Sequence, residues 1–403
     1  MNRLTVLGGG SPFTLGLVEA LVADTPTPPL ELVLYGRDGE ILQLVRAYAT
    51  SRLGPFGWEV AASTDLFAAL SGAQYVVHQI RYGRLEGRQE DELLATRFGS
   101  AADETLGPGA LNSALRMAPE LRVIARAIAA AAPDAWVLNL TNPLSVATSI
   151  LAEGGVRRCI GLCELPSSTA GMAATLLDLP PSRLDWNYRG LNHRGFIVGL
   201  ECDGQDQLPH LVARLGNGSL GGIPAATIAT LGAVPTKYFA LQGARGPAPG
   251  RAEYVRGLRD RIVQELRGAP HVLPPSLRMR RLPWYAESIV PALAALRSTK
   301  PRRLVVNLRC EDDITREMHA TVSTAGVFRE RPPAVPGPVQ EYLERFELHE
   351  RRVLEAVADP SYDTVASALA ADPTLEPGAG STMAEALWAN HSRQTPEVSR
   401  ELS

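Results

Sequence analysis

The sequence predicts an α/β protein, with a doubly wound parallel sheet in the first half and an α+β arrangement in the second. Three observations carry this. Short apolar runs alternate with helical patterns from the N-terminus to about residue 165. The runs are apolar throughout, as strands covered on both faces must be. The first of them ends in consecutive glycines that open into a helix.

In order, Leu4 to Leu7 reads as the first strand, Gly8-Gly9-Gly10-Ser11 as a turn and Leu15 to Ala23 as a helix. Leu30 to Tyr35 reads as a strand and Ile41 to Arg52 as a helix. Tyr75 to Ile80 reads as a third strand, with polar residues at its end. Ala114 to Ala131 has helical composition, and Trp136 to Leu140 and Ile160 to Cys163 read as two further strands. Beyond residue 165 the pattern loosens. Helices are expected at Met172 to Leu177, Glu253 to Leu266, Glu287 to Leu296 and Val339 to Val357, and strands within Asp185 to Leu200 and at Leu304 to Leu308. A division into 1–165, for a dinucleotide, and 166–403, for metal and substrate, follows from this change of pattern.

The bulk numbers narrow the function. Of 403 residues, 45% are hydrophobic and 21% charged, and the net charge is -3. No general field draws this chain to nucleic acid or to an anionic membrane, so an anionic ligand must be held by local arginines. No stretch has the roughly 18 uninterrupted apolar residues of a membrane span. Cys159, Cys163, Cys202 and Cys310 match neither a zinc ribbon nor a disulfide scaffold. A reducing, cytoplasmic setting is the expectation.

Glycines between a first strand and a first helix let the backbone approach a pyrophosphate, while the helix N-terminus offers unpaired N–H groups to it. Gly8, Gly9, Gly10, Ser11 and Phe13 are therefore candidate dinucleotide contacts, with Phe13 where the third glycine of the usual Rossmann fingerprint stands. A glycine-rich turn without a ligand is the plain alternative. The second strand ends Gly36-Arg37-Asp38. Gly36 stands where an NAD site usually offers an acid to the ribose 2′-OH, and Arg37 suits a 2′-phosphate, so NADP stands beside NAD.

Polar segments lie where the strands end, which is where open α/β sheets bind ligands. They read Ile80-Arg81-Tyr82-Gly83-Arg84-Leu85-Glu86-Gly87-Arg88, Glu104-Thr105-Leu106-Gly107-Pro108-Gly109, Asn139-Leu140-Thr141-Asn142-Pro143 and Gly161-Leu162-Cys163-Glu164. Gly190-Leu191-Asn192-His193 and Pro235-Thr236-Lys237-Tyr238 follow. Taken in this order with the Gly-Gly-Gly-Ser start, they resemble the family 4 glycoside hydrolases. These are NAD- and divalent-metal-dependent enzymes of lactate/malate-dehydrogenase-like fold that include 6-phospho-β-glucosidases and α-glucosidases. The resemblance runs from residue 1 to about residue 240 and is fainter beyond.

The resemblance implies a glycosidase that oxidises its sugar at C3, removes the C2 proton, eliminates the leaving group from C1, adds water or another acceptor across the resulting C1–C2 double bond and then reverses the redox step, outside the two-carboxylate scheme. It implies NAD, a divalent metal (Mn²⁺ in most members), a sugar that carries a 6-phosphate and a homodimer or homotetramer. Carried over residue by residue, Cys163 and His193 are the metal ligands, although from the residues alone a buried core side chain is the favoured reading of each. Tyr238 is the C2 base, Glu104 an acid near the site, and Asn142 a contact to dinucleotide and substrate. Arg88 is the phosphate arginine. Arg278, Arg280 and Arg281 fall where the family carries Arg-Gly-Gly, with Arg281 as the substrate contact. Glu164 stands where α-type members have Asp and β-type members Asn; an acid there suits protonation of a leaving oxygen. A sugar or hydroxy-acid dehydrogenase on the same fold and a non-catalytic dinucleotide sensor are the alternatives.

Overall fold

Six parallel strands make the first half of one sheet: β1 (Arg3–Leu7), β2 (Glu31–Tyr35), β3 (Glu59–Ser63), β4 (Ala73–His78), β5 (Trp136–Asn139) and β6 (Cys159–Gly161). They lie in the order β3-β2-β1-β4-β5-β6, the doubly wound arrangement with its switch point between β1 and β4. The computed structural model describes residues 2–24, 28–241, 248–376 and 378–401. Connecting helices are α1 (Leu15–Ala23), α2 (Gly39–Leu53), α3 (Leu66–Leu70), α4 (Arg84–Arg97), α5 (Gly107–Ala131) and α6 (Leu144–Glu153). The expected first helix is present over Leu15–Ala23. Two short expectations are corrected. The residues from Arg84 to Arg88, read as the polar end of the third strand, start α4, and that strand, β4, stops at His78 and not at Ile80. The α5 helix also begins seven residues before the expected Ala114, because Pro108 suits the first helical turn, where no N–H is needed.

The sheet does not end at β6. After α7 (Leu165–Leu176) come β7 (Asp185–Leu191), β8 (Arg194–Cys202) and β9 (Gln205–Asp206), then α8 (Leu208–Leu215). A small hairpin, β10 (Ser219–Leu220) and β11 (Ile223–Pro224), leads to α9 (Ala225–Leu231) and β12 (Val234–Pro235). Next are α10 (Arg251–Gly268), α11 (Val290–Leu296), β13 (Arg302–Arg309), β14 (Thr315–Ser323) and β15 (Gly326–Arg329). The chain closes with α12 (Gly337–Ala358), α13 (Tyr362–Ala370) and α14 (Gly380–Glu401). β13 runs antiparallel to β6 at Asn307–Gly161, and β14, β7, β8 and β12 follow in antiparallel order. The second half is thus α+β, as expected, and is welded edge to edge onto the first.

Both faces of the parallel half are covered in part by C-terminal helices. On one face Leu15, Val18, Leu42 and Val45 pack in the same cluster as Leu258 of α10 and Leu293 of α11. On the other, Leu111, Leu115 and Ile150 pack with Val353 of α12, Val365 of α13 and Leu387 of α14. No helix among the described residues is long and apolar enough to cross a membrane.

Candidate active site

The glycine turn lies at the switch point and is built on close backbone contact. Gly8 and Gly9 N–H donate to Tyr35 O at 3.1 and 2.8 Å, tying the turn to the end of β2. Gly8 has φ +87°, and a Cβ on Gly9 would lie 2.9 Å from Val6 O and 3.0 Å from Leu34 Cα. Both neighbours are backbone and cannot give way. Gly36 is required for the same reason: its Cβ would lie 3.1 Å from Gly10 N. The Ser11 side chain accepts from Phe13 N–H and caps a 3-10 turn, Pro12–Thr14, that leads into α1. Phe13 is buried, so the missing glycine of the fingerprint is a core ring beneath the turn. Asp38 is occupied as the N-cap of α2, accepting from Ile41 N–H at 3.1 Å, and Arg37 is half-exposed, 3.8 Å from Glu120. The end of β2 thus holds an arginine and no available acid. A cradle that a Cβ would fill fits a dinucleotide pyrophosphate. Gly9→Ala is expected to lower stability by about 1–3 kcal/mol through overpacking. It should also abolish the rise in Tm that saturating dinucleotide gives the parent, which is about 2.7 kcal/mol of stabilisation at 100 times Kd. A thermal scan with and without dinucleotide reads both; an undiminished rise in Tm would exclude the turn as the cradle.

Beside the turn lies a cluster of cations around one acid. Arg81 follows β4, Arg88 lies in the second turn of α4, and both donate to Glu104. Arg88 also donates to Glu92 at 2.7 Å, and Glu92 accepts the backbone N–H groups of Gly250 and Ala252. Burial alone would raise the Glu104 pKa, but the Arg81 and Arg88 guanidiniums overcome it and hold the carboxyl at about 2. Arg280 completes the group. Its guanidinium lies 4.4 Å from the Phe13 ring centroid and 5.4 Å from that of Trp284. Burial and the neighbouring Arg81 lower it to about 10, and its Nε is buried with no hydrogen-bond partner among the described residues. Arg281, the arginine singled out by sequence, is exposed. Arg280 is the one that joins the cluster, which sequence order could not distinguish.

Cys163 follows β6, and His193 occupies the tight turn between β7 and β8 with φ +63°. Distant in sequence, they meet through their neighbours. The Asn192 side chain donates to Glu317 at 3.1 Å, and the Glu317 carboxylate acts on the Cys163 thiol. The Tyr238 ring stacks on His193 with centroids 4.1 Å apart and planes 9° apart. His193 Nδ1 contacts Thr105 Oγ1 at 2.9 Å. Burial, then Lys237 and Arg194, lowers the His193 pKa to about 3, so the imidazole is neutral. Burial, then the carboxylates of Glu317 and Glu164, pushes the Cys163 thiol well above its ordinary value. No group of three or more His, Cys, Asp or Glu side chains suited to a metal occurs among the described residues. His193 would offer a neutral imidazole, and Cys163 a thiol that a cation could deprotonate. This donor set fits a catalytic divalent metal.

Tyr238 is in the short helical turn Lys237–Leu241. Burial and the surrounding Asp103, Cys163, Glu104 and Glu164 raise its pKa, while Lys237 Nζ lies 5.2 Å from its ring centroid. Glu164 stands at the N-cap position of α7 but makes no capping bond with its side chain; its Oε2 lies 3.9 Å from Cys163 Sγ. Asn142 is partly buried after β5, joined to Pro143 by a cis peptide bond. Behind the site, Glu317 of β14 accepts from Tyr188 (2.7 Å), Asn192 (3.1 Å) and Asn307 (2.9 Å), and burial raises it to about 7. Sequence reasoning missed Glu317, for which no local motif exists. It also passed over Asp103 and Thr105, although Thr105 belongs to a segment it had marked. An open cavity of about 390 Å³ elsewhere, lined by Trp136, Cys159 and Arg309, takes in none of these residues. Arg309 there is already paired with Asp313 and Glu153. The candidate active site is therefore marked by its side chains and not by cavity depth.

Comparison with known proteins gives a consistent result. The model for family 4 glycosyl hydrolases matches residues 3–179, and that for the family 4 glycosyl hydrolase C-terminal domain matches residues 188–375. A probable 6-phospho-beta-glucosidase of Bacillus subtilis (strain 168) is 26% identical, over 93% of this chain and 92% of that protein. The 6-phospho-alpha-glucosidase 1 of Lacticaseibacillus paracasei is 32% identical, over 51% of this chain and 48% of that protein. Among solved structures, the 6-phospho-beta glucosidase of Thermotoga maritima with manganese, NAD+ and glucose-6-phosphate superposes with TM-score 0.86 at 21% identity, over 98% and 99% of the two chains.

Proposed function

Since the chain belongs to the family 4 glycosyl hydrolases, we propose that it cleaves a 6-phosphoglucoside with the help of NAD and Mn²⁺. The observation that carries this is the convergence of Cys163, His193 and Tyr238 beside a cluster of three arginines and the glycine turn. Bound NAD would take up and return a hydride at C3 of the sugar, which makes the C2 proton acidic in between. Bound metal would act as a Lewis acid on the sugar oxygens. Gly8, Gly9, Gly10 and Ser11 cradle the pyrophosphate, with Phe13 beneath them, while Arg37 at the ribose leaves NADP as the alternative dinucleotide. Asn142 lies between dinucleotide and sugar. Cys163 and His193 hold the cation. Tyr238, stacked on His193, takes the C2 proton. Glu164, beside the metal cysteine, donates to the leaving oxygen.

The phosphate assignment is shared. Arg88 is already engaged by Glu92 and Glu104, so Arg280, with its unpartnered Nε, is the cation with most capacity left for a substrate anion. Glu104 then sets the charge of the cluster, and Arg281 at the surface is left to steer the substrate. In this division of labour residues 1–165 cradle the dinucleotide and residues 166–403 supply His193 and Tyr238. The proposal includes a homodimer or homotetramer in the cytoplasm; four free cysteines suit that compartment.

The test is cleavage of α- and β-linked aryl glucosides, with and without a 6-phosphate. Cleavage should fall to background when dinucleotide is omitted or the metal is chelated, and no NADH should accumulate, because each turnover returns its hydride. Cleavage indifferent to both omissions would exclude the mechanism. Steady NADH accumulation without cleavage would mark a dehydrogenase.

A further inference from the structure

Thr105 lies between a carboxylate and the imidazole assigned to the metal. Its backbone N–H and its hydroxyl both reach Asp103 Oδ1, at 2.7 and 2.5 Å, and Leu106 N–H reaches the same oxygen at 3.0 Å. An oxygen that takes two backbone donors is an acceptor, so the Thr105 hydroxyl proton points at it. A hydroxyl has one proton. In the 2.9 Å contact with His193 Nδ1, the Thr105 oxygen therefore accepts and Nδ1–H donates. That leaves the lone pair on Nε2.

The rest of the surroundings holds the ring but does not select the tautomer. Tyr238 fixes the plane of the imidazole by stacking. Thr236 Oγ1 donates to His193 O at 3.0 Å and holds the backbone of this positive-φ turn. Only Thr105 bonds a ring nitrogen among the described residues.

We infer that Thr105, braced by Asp103, is a positioning residue for the metal centre: it fixes His193 as the Nδ1–H tautomer and aims Nε2 at the cation. The inference rests on the reading of Cys163 and His193 as the metal ligands. A carboxylate-backed partner on the far nitrogen orients a ligating histidine and raises its basicity. The same brace ties residues 103 to 106 to the start of α5, so one short loop directs Glu104 to the arginines and Thr105 to the histidine.

The experiment uses the full chain stripped of metal and titrated with Mn²⁺ alone, free Mn²⁺ being read by electron paramagnetic resonance. Thr105→Val removes the hydroxyl at nearly constant shape and is expected to raise the Mn²⁺ Kd by about 10- to 100-fold. Thr105→Ser should restore it to within about threefold, with the dinucleotide Kd unchanged in both. If the valine variant does not fold, Thr105→Ala carries the same expectation. Parent-like Mn²⁺ affinity in Thr105→Val, with affinity lost in His193→Ala, would overturn the inference and leave the metal site standing. Failure of serine to rescue would also overturn it, since the role would then be one of shape. Mn²⁺ binding that survives His193→Ala, or none in the parent, would overturn the metal-site reading and the inference with it.

Discussion

Tyr238→Phe is expected to lower kcat on the best aryl glycoside by about 10²- to 10⁴-fold, the usual range for loss of a positioned acid or base. The substitution removes one hydroxyl and keeps the ring. The stack on His193, 4.1 Å between centroids, is therefore retained, and Lys237 keeps its aromatic neighbour. Binding of Mn²⁺ and dinucleotide should change by less than about threefold, so the loss belongs to a step after binding. The sharper readout is isotopic. In D₂O the parent should place deuterium at C2 of the released sugar, and the variant should turn over too slowly to do so. A kcat within about threefold of the parent would remove Tyr238 from the chemistry. A parallel loss of kcat and Mn²⁺ affinity would show that it acts by holding the imidazole.

Glu350→Ala should give the largest loss of stability. Glu350 of α12 pairs with Arg194, the first residue of β8, and both are buried, at 2% and 7% side-chain exposure. Arg194 Nη1 also donates to His349 Nδ1 at 2.8 Å, which leaves Nε2 of His349 turned toward Asp372, 3.6 Å away. Removing Glu350 leaves a guanidinium inside the protein with a neutral imidazole as its main partner. Breaking a buried pair from one side costs about 3–5 kcal/mol, or on the order of 3–6 °C in Tm for a chain of 403 residues. The control is Glu355→Ala on the same helix. It breaks an exposed pair with Arg352 and should cost about 0–1 kcal/mol. Equal losses in the two variants would mean that Asp372 takes over the guanidinium.

Much of the fold was legible because the parallel strands are apolar runs with turn residues at their ends. β3 was not: Glu59–Ser63 is an edge strand without a buried residue, so it lacks the signal that marks the others. α4 was read as the tail of a strand because its charge-rich sequence shows little apolar periodicity, although Leu85 and Ala95 are buried. β14 was missed because Glu317 and His319 are buried where alternation would call for apolar residues. At the site, the motifs located the loops, since ligands bind where parallel strands end. They could not say which of two neighbours turns inward. Arg280 and Arg281 have the same chemistry, and only the backbone direction before Trp284 puts one on Phe13 and the other in solvent. Asp103 and Thr105 were overlooked for a related reason: their partners are a backbone turn and a histidine far along the chain.

The helices α10 to α14 have a consequence for synthesis. During translation the first 165 residues emerge with the whole parallel sheet, yet its two faces are completed only by segments made last. Leu15 and Val18 on one side, and Leu111 and Leu115 on the other, have no cover from α10, α11 or α14 until the chain is nearly finished. A half-made chain therefore carries two sticky faces on the ribosome, the condition that invites aggregation and engages chaperones. Cover of both faces waits for the C-terminal helices, so a chain cut before α10 is expected to be less soluble than the full chain.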